Sequence, residues 1–515
     1  MKYQLEFVSA KLQRWNSSLK DGEGDWEADN SWSVSNYPEN GELAIGDITT
    51  KILLTIVTKV PDPTLTRNAT PETGVTTYYN SASIKWEGNA GFGTQPVGVG
   101  IGYNAIEKTG AVTDYKKAEI TWNVKVDAKK QTIPDMKVYD LLVYSDSFDV
   151  DSLDESSAIG KDILENITPQ YNQRIVKTGG GNAEAFNGEG LKHTVTTLYK
   201  GGKAVADLLT VTSDSGGGIG TDKAYSFSYK TQVTNTEILT YTESKGITNT
   251  AMLFSGSVRL NSATANVGYD AKMLQKGTMT AVSAEAFEKG EGAYGVDKSN
   301  GSAGGETDSF NYIDKSAVFR IYVNRNSLDY STVTDAEGKT AGKITVTDTL
   351  PEGWGFKPFE SGENYYAFSG VTDNGGSTVA NAPWDNNVNG NITSQISGLT
   401  ATFTFDALKD PCVILVKASP LEETIKDYFN GNRTANITNR VVLTAENWST
   451  NSSAETSVEV KSSALAKTLD KIEDGVLKWK VDYNPYKVDR SDIDNLHLED
   501  TLPIGLDLRT DCLFR

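Results

Sequence analysis

A ten-residue motif that occurs twice constrains the fold of this chain more than any other feature of the sequence. The two copies are ITVTDTLPEG at 344–353 and LHLEDTLPIG at 496–505. Apolar residues occupy alternate positions before the Asp in both copies, as in a strand with one buried face. Asp348 and Asp500 share the parity of those apolar residues, so the pattern points both carboxyl groups into a core. A buried carboxylate needs neutralisation or a partner, and the recurrence predicts an array of repeats that supplies one.

Length and charge exclude several classes of protein. The 515 residues exceed what one hydrophobic core can organise. With 68 acidic and 49 basic residues, the net charge is -19. This charge repels nucleic acid and anionic membranes, so neither is expected as a partner. No apolar run is long enough for membrane insertion as a helix, and the first residues lack the layout of a signal peptide. The two cysteines, Cys412 and Cys512, have the spacing of neither a disulfide framework nor a zinc site.

Other predicted strands follow a fixed order around the Asp strand. Each unit contains a strand that ends on Lys, a Trp strand, the Asp strand, a variable middle, a Tyr/Phe strand and an Asn strand. The strands predicted to end on Lys span 97–108, 263–276 and 455–467. A further Asp strand at 136–142 contains Asp140 but lacks the Thr-Leu-Pro-x-Gly tail. The Asn strands carry Asn80, Asn249 and Asn439.

This order predicts an all-β chain of tandem immunoglobulin-like antiparallel β-sandwiches. The predicted domains are a half unit at 1–105, complete units at 106–274 and 275–465, and a half unit at 466–515. The half units indicate a segment of a longer protein, and an intracellular protein is the alternative. The Gly- and Ser-rich insertion at 289–308 is expected to be a surface loop, and the stretch 151–173 permits a helical insert.

Three residue types of the repeat point into the predicted core and can react there. Lys108, Lys276 and Lys467 share parity with apolar neighbours, as the Asp and Asn residues do. Desolvation lowers the pKa of a buried amine and raises the pKa of a buried carboxyl. A neutral amine is a nucleophile, the Asn side-chain carbonyl is an electrophile, and a protonated acid can transfer protons while ammonia leaves. The predicted product is a Lys–Asn isopeptide bond.

Each of these residues also has an ordinary structural interpretation. Asp before Thr-Leu-Pro can begin a turn, Asn can hydrogen-bond a strand end, and Lys can extend its ammonium group to solvent. Any single residue fits that interpretation. The recurrence of all three at matching parity favours the bond in the two complete units.

The motifs that carry this chemistry also carry a family resemblance. The Asp-Thr-Leu-Pro-x-Gly motif, the Trp-x-Val-x-Val strand and the Thr-Asn-x-Ala/Val strand resemble the collagen-adhesin-type immunoglobulin-like domains of Gram-positive surface proteins. The resemblance implies stalk or ligand-binding modules of an extracellular adhesin or pilus-like protein at the cell surface or cell wall. It also implies intramolecular Lys–Asn bonds promoted by an acidic residue. Carried across by motif, the sets are Lys108–Asp140–Asn249 and Lys276–Asp348–Asn439, with Asn80 and Lys467–Asp500 incomplete.

Two other functions stay open at this point. One is a binding module for a carbohydrate or a host matrix protein, with exposed aromatic residues of the variable middle as its contact surface. Those aromatic residues are Trp354, Tyr365, Tyr366 and Trp384. The other function is the accessory region of a secreted hydrolase. Neighbouring repeats of the same chain are the remaining predicted partners.

The remaining motifs predict no further chemistry. The acidic stretch 146–155 lacks the spacing of a calcium-binding EF-hand loop. The Gly-rich stretches at 179–181 and 216–220 lack the Lys-Ser/Thr and the helix of a phosphate-binding loop. His193 and His497 are isolated from any nucleophile or further metal ligand. We therefore expect no turnover enzyme, no metal and no cofactor.

Overall fold

The computed structural model describes residues 6–34, 42–59, 75–102, 105–127, 132–144, 148–154, 159–177, 186–216, 218–220, 223–242, 244–290, 308–370, 386–429, 434–462, 465–485 and 494–507. The chain divides into two compact units, one made of 1–113, 119–235 and 246–268 and the other of 114–118, 236–245 and 269–515. Across the described stretches, no helix combines the length and apolar character needed to span a bilayer. The predicted domain boundaries stay predictions.

Several predicted features fall outside the described residues. They are the Gly run at 179–181, Trp384, Cys512, both ends of the acidic stretch 146–155, and nearly all of the 289–308 insertion.

The first hundred residues form strands but no closed sandwich among the described stretches. The strands are β1 (Glu6–Asn16), β2 (Asp25–Ala28), β3 (Ile52–Lys59), β4 (Val75–Asn80), β5 (Ser83–Trp86), β6 (Asn89–Gly93) and β7 (Val97–Gly102), with a 3₁₀ turn at Lys20–Gly22. One sheet has the order β2-β1-β3, and the pairs β4–β7 and β5–β6 are separate. Asn80 pairs with Val97 in the outer pair, and Ile84 pairs with Phe92 in the inner pair. The inner pair β5–β6 therefore lies, along the chain, between the two strands of the outer pair β4–β7, as in one long hairpin.

Residues 106–270 form the first complete sandwich. Its strands are β8 (Ile106–Asp114), β9 (Glu119–Asp127), β10 (Met136–Val143), β11 (Gln170–Tyr171), β12 (Gln173–Ile175), β13 (Leu191–Lys200), β14 (Lys203–Ser213), β15 (Ala224–Val233), β16 (Ser244–Ser255) and β17 (Val258–Asp270). Its helical segments are Val150–Ser152 (3₁₀), α1 (Lys161–Glu165) and α2 (Thr236–Leu239). One sheet has the order β13-β14-β10-β16-β17, with β11 added parallel to β10, and the other sheet has the order β12-β15-β9-β8.

Burial patterns explain how these strands form layers. In β9 the alternate residues Ile120, Trp122 and Val124 are buried, as expected for a strand with one face in the core. β10 is buried on both faces, since a second apolar cluster covers its outer face. There Leu141 packs in a cluster with Leu164 of α1. The helical insert permitted at 151–173 is thus present as this short helix.

Residues 274–461 form the second complete sandwich. Its strands are β18 (Leu274–Thr278), β19 (Phe310–Asn311), β20 (Ser316–Val323), β21 (Ile344–Thr349), β22 (Trp354–Phe356), β23 (Tyr365–Ser369), β24 (Asn386–Asn387), β25 (Thr393–Ser397), β26 (Thr400–Phe405), β27 (Cys412–Pro420), β28 (Thr434–Ala445) and β29 (Asn451–Lys461). Its helical segments are α3 (Ala281–Glu288), Asn389–Asn391 (3₁₀) and α4 (Glu422–Phe429). The sheets have the orders β25-β26-β21-β28-β29 and β18-β20-β27-β23-β24, with β19 on β20 and β22 on β27.

The two sandwiches share one topology. The Asp strand, β10 or β21, lies in the middle of a five-stranded path, directly beside the Asn strand, β16 or β28. The Lys strand, β8 or β18, lies at the edge of the opposite sheet. This architecture confirms the prediction of an all-β fold of antiparallel immunoglobulin-like sandwiches.

At the C-terminal side, β30 (Leu465–Glu473) and β31 (Val476–Tyr483) form a two-stranded sheet. The second copy of the Asp motif has no regular secondary structure at Leu496–Asp500 and pairs with no strand within the stretches 465–485 and 494–507. The prediction of a paired strand there is wrong for this structure, because the counterparts of β26 and β28 that would flank it are not among those stretches.

The prediction that a single strand ends on each Lys is also wrong. In each unit the pattern covers two strands, β7 and β8, β17 and β18, or β29 and β30, and the Lys lies near the start of the second strand. Between β17 and β18 the chain is interrupted at 271–273, where Lys272 has a positive φ of 45°. A residue other than Gly that adopts a positive φ is hard to recognise from the sequence. The alternation of apolar and polar residues therefore appears continuous across this interruption.

Candidate crosslinking sites

The first site joins the two sheets of the first sandwich. Lys108 extends from β8 in one sheet toward Asp140 of β10 and Asn249 of β16 in the other. The Lys108 Nζ donates a hydrogen bond to the Asp140 Oδ2 at 2.6 Å. The side chains of Lys108 and Asp140 are 0% and 2% exposed, and Asn249 is 0% exposed. All three predicted residues therefore meet inside the core.

Tyr229 of β15 connects the three groups. Its hydroxyl donates to Oδ2 of Asp140, and it accepts hydrogen bonds from Lys108 Nζ at 2.5 Å and from Asn249 Nδ2 at 3.2 Å. Tyr229 is not among the residues predicted from the sequence. Its signal was present, since Tyr229 shares the buried parity of Phe227 in the Tyr/Phe strand, and a buried phenol needs polar partners.

Aromatic rings enclose the amine of the first site. Lys108 Nζ lies 5.3 Å from the Trp122 ring centroid and 5.1 Å from the Tyr229 ring centroid. The rings exclude water from the amine, and their faces also attract it while it carries charge. The Trp strand thus supplies one wall of the site.

Two oxygens of the first site have no hydrogen-bond partner among the described residues. They are Oδ1 of Asp140 and the side-chain carbonyl oxygen Oδ1 of Asn249. An unsatisfied buried oxygen costs about 1–3 kcal/mol. The Asn249 carbonyl is therefore poorly stabilised as it stands and is open to a proton donor.

The second site repeats the arrangement in the second sandwich. Lys276 Nζ donates to Oδ1 of Asp348, and Asn439 Nδ2 lies 3.4 Å from Oδ2 of Asp348. Each of the three residues is 0% exposed. Lys276 Nζ lies 5.4 Å from the centroid of Phe319, and Oδ1 of Asn439 is again without a partner among the described residues.

The hydroxyl of Tyr229 has no equivalent in the second site. Tyr229 lies opposite Trp122 on the neighbouring strand, and the residue opposite Phe319 is Val416. In the second site the Asn439 amide donates directly to Asp348, whereas in the first site the Tyr229 hydroxyl bonds both the acid and the amide.

Burial sets the protonation of both sites. Desolvation lowers the pKa of Lys108 and of Lys276, against the opposing pull of the nearby carboxyl. Desolvation raises the pKa of Asp140 and of Asp348, against the pull of the amine. An ion pair and a neutral amine with a protonated acid hold the same number of protons. One proton transfer from Nζ to the carboxylate therefore produces the nucleophile and the acid together.

The incomplete sets lie at the surface. Lys467 Nζ contacts Oδ1 of Asp500 at 2.5 Å and lies 5.0 Å from the ring centroid of Trp479. The side chains of this pair are 34% and 42% exposed. Asn80 of β4 is also exposed. The structure thus repeats the contact of Lys, Asp and aromatic ring a third time, without the Asn.

Two of the aromatic residues proposed as an exposed contact surface are buried. Trp354 is 1% exposed and donates to the Tyr428 hydroxyl at 3.2 Å, and Tyr365 is 8% exposed. Tyr366 is half-buried and packs against a cluster of buried residues. The expectation of an aromatic binding surface there is wrong for Trp354 and Tyr365, whose rings fill the core.

The isolated polar motifs have structural contacts. His193 stacks on Phe186 at 4.0 Å between ring centroids, and burial lowers its pKa. Asp149 caps the 3₁₀ turn, and Asp154 accepts from the Gly202 backbone. No group of three or more His, Cys, Asp or Glu side chains within the described stretches has a geometry suited to a metal ion.

Comparisons with known proteins give similarity in structure only. No family model matches the sequence, and no curated protein matches it. Three similar solved structures are the collagen adhesin CNA of S. aureus, the serine-rich repeat protein Srr2 of Streptococcus agalactiae and the partial N-terminal region of enterococcal surface protein. Their identities are 12%, 8% and 10%, and their TM-scores are 0.19, 0.21 and 0.19. The matches cover 69%, 69% and 73% of this chain and 93%, 92% and 99% of those chains. One of the three is named a collagen adhesin, the type of protein that the sequence motifs resemble.

Proposed function

We propose that this chain is a segment of a bacterial cell-surface adhesin or stalk, located outside the cell at the cell wall. Its sandwiches are crosslinked by isopeptide bonds from Lys108 to Asn249 and from Lys276 to Asn439. The observation that supports this proposal is the same buried triad in two sandwiches of one topology. Two buried ion pairs are costly as stability devices, whereas a reaction between their members removes the charge.

The reaction balances without a co-reactant. The neutral Lys amine attacks Cγ of Asn, the protonated Asp donates to the carbonyl oxygen, and the C–N bond to the amide nitrogen breaks. The amide nitrogen leaves as ammonia after taking up a proton from the attacking amine through the carboxyl group. Asp140 and Asp348 return to their starting state, so each site reacts once and turns over no external substrate.

The position of the bonds suits a load-bearing role. Each bond connects the Lys strand of one sheet with the Asn strand of the other, so both sheets are joined covalently. The Lys strand lies near the start of each sandwich and the Asn strand near its end. Force along the chain passes through the bond, and the strands between carry none of it.

A host matrix protein or a glycan stays the predicted external partner. The burial of Trp354 and Tyr365 removes two of the four residues first expected to contact it. A stalk that spaces a binding module from the cell is therefore favoured over a binding role for the variable middle of the second sandwich.

Intact mass spectrometry tests the proposed bonds. We expect the purified chain to weigh less than its sequence predicts by the mass of two ammonia molecules. Asp348→Asn keeps the side-chain volume and removes the acid, so this variant should lose only one ammonia. Lys343→Ala, at an exposed lysine paired with Asp406, is the matched control and should lose two. A full-length mass equal to the sequence mass would refute the bonds.

Tyr229→Phe should slow the first bond and leave the second unchanged. The phenol contacts the amine, the acid and the amide of the first site, and removing one positioned hydrogen-bond donor from a reacting site slows reaction by roughly 10²-fold. Chain kept unfolded since synthesis would be refolded and quenched at intervals, and crosslinked peptides from each sandwich would be quantified. Tyr139→Phe, at a buried tyrosine on the outer face of β10, is the control. Equal slowing of both bonds would contradict this role.

A further inference from the structure

Trp122, whose ring lies beside the Lys108 amine, is held at its indole nitrogen by two buried side chains. Its Nε1 donates a hydrogen bond to Oγ1 of Thr231 at 2.8 Å and to Oε1 of Gln173 at 3.2 Å. Thr231 and Gln173 are both completely buried. An indole N–H can only donate, so a buried indole needs an acceptor to stay in place. The position of the ring next to the amine therefore depends on these two residues.

Gln173 is itself oriented by the strand that carries the reacting amide. It lies on β12, in the same sheet as the Lys and Trp strands. Its Nε2 donates to the backbone oxygen of Thr248 at 3.0 Å, and Thr248 directly precedes Asn249 on β16 of the opposite sheet. The hydroxyl of Thr231 donates to Oε1 of Gln173 at 2.7 Å. Because the nitrogen of this side-chain amide is bound to a carbonyl, its oxygen faces the indole, as the indole N–H requires.

At the equivalent positions, the second sandwich has a different ring and no acceptor for it. Phe319 lies beside the amine there, and a phenyl ring has no N–H. The register of β22 on β27 puts Trp354 at the position that the glutamine has in the register of β12 on β15. The same registers put Ala418 at the position of the threonine. The side chains of Trp and Ala accept no hydrogen bond, so the ring and its acceptors change together.

The residue next to the ring differs in the same way. Gly110 stands two positions after Lys108 on β8, and a Cβ added to it would overlap the six-membered ring of Trp122. Thr278 stands two positions after Lys276 on β18, where it pairs with the phenylalanine, whose ring is smaller. The indole thus requires a glycine beside its ring and an acceptor at its nitrogen, and the first sandwich supplies both.

We propose that Gln173 is a positioning residue for the crosslinking reaction of the first sandwich, in which it holds the Trp122 ring beside the Lys108 amine. This role rests on the proposed function. The ring keeps water from the amine, and a desolvated amine gives its proton to the neighbouring acid more readily. When the ring is released from Gln173, water reaches the amine and the reactive neutral form is less populated. Tyr229 bonds the reacting groups directly, whereas Gln173 acts through the ring.

Gln173→Met tests this role in the full chain. The substitution keeps the length of the side chain and removes the acceptor for the indole. Chain kept unfolded since synthesis would be refolded and quenched at intervals, and the crosslinked peptide of each sandwich would be quantified. The first bond should form roughly 3- to 10-fold more slowly, a change of the size that one hydrogen bond contributes. The second bond should form at the wild-type rate and so reports that the chain folds normally.

Trp122→Phe distinguishes positioning from simple packing. This variant has no N–H at the ring, so Gln173 has nothing to hold there. Gln173→Met and Trp122→Phe combined should therefore slow the first bond no more than Trp122→Phe alone. If Gln173→Met slows the first bond by the same factor with and without the indole, the glutamine acts by packing and the positioning role is overturned.

Thr231→Val gives the same test without changing Gln173. It keeps the shape of the side chain and removes the other acceptor, so it should slow the first bond only while Trp122 is intact. This second variant decides the matter if Gln173→Met does not fold. Gln395→Met, at an exposed glutamine of β25, is the matched control and should leave both rates unchanged.

The outcomes separate this role from the proposed function. A first bond that forms at the wild-type rate in both Gln173→Met and Thr231→Val would overturn the positioning role and leave the crosslinks in place. Equal slowing of the two bonds would also overturn it, because the glutamine would then act on folding of the whole chain. A wild-type chain without the first bond would refute the proposed function for that sandwich, and the positioning role with it.

Discussion

Asn439→Ala should lower the unfolding temperature of the second sandwich by about 10–20 °C. The bond from Lys276 to Asn439 closes a loop of 163 positions. By the loop-entropy relation used for disulfides, a crosslink of this span stabilises the fold by about 5 kcal/mol. The variant loses this stabilisation. A sandwich of this size changes its unfolding temperature by about 2–4 °C for each kcal/mol of unfolding free energy. Differential scanning calorimetry of the full chain measures the change.

The matched control for this variant is Asn436→Ala. Asn436 lies on the same strand as Asn439 but is exposed, so its loss should leave the unfolding temperature nearly unchanged. Asn249→Ala should destabilise the first sandwich instead and leave the transition of the second in place. A drop of only one or two degrees in Asn439→Ala would mean that no crosslink constrains the unfolded chain.

The inward placement of the reactive groups could be predicted from strand parity. Lys276, Asp348 and Asn439 each share parity with apolar neighbours, and each is fully buried. Parity fixes the face of a strand without any knowledge of the partner strand. A single polar residue at a core position has several explanations. The prediction that Lys, Asp and Asn from three distant strands meet therefore depended on the repetition of all three in successive units.

Other parts of the fold and site could not be predicted, for separate physical reasons. The role of Tyr229 depends on which residue lies across from Trp122 in the folded sheet, and a single sequence does not give that pairing. Helix α3 has only eight residues, so its buried pair Ala284 and Phe287 is too short a pattern for helical periodicity. The helix is capped by Thr280, whose side chain accepts a hydrogen bond from the Ser283 backbone at 3.1 Å. A Thr before a short polar segment is common in sequences and does not by itself indicate a helix start.

Burial of the aromatic residues in the variable middle was missed because composition does not distinguish loops from added strands. Trp354 and Tyr365 lie on β22 and β23, which extend the sheet next to β27. Gly353, with a φ of 83°, turns the chain into β22 immediately after the Asp motif. The Thr-Leu-Pro-x-Gly tail therefore has a structural purpose, since it redirects the chain from one sheet to the other.

Under mechanical load the wild-type chain should release no length from the region between its crosslinked residues. Force that enters at Lys276 leaves through the bond at Asn439, so the intervening 163 positions bear none of it. At about 3.3–3.6 Å per extended residue, this hidden length is roughly 540–590 Å. Asn439→Ala should release it in one unfolding step in single-molecule force spectroscopy, and Asn436→Ala should not. Because a covalent amide survives forces that separate hydrogen-bonded strands, a wild-type chain that gave the same step would show that its two sheets are held together by packing alone.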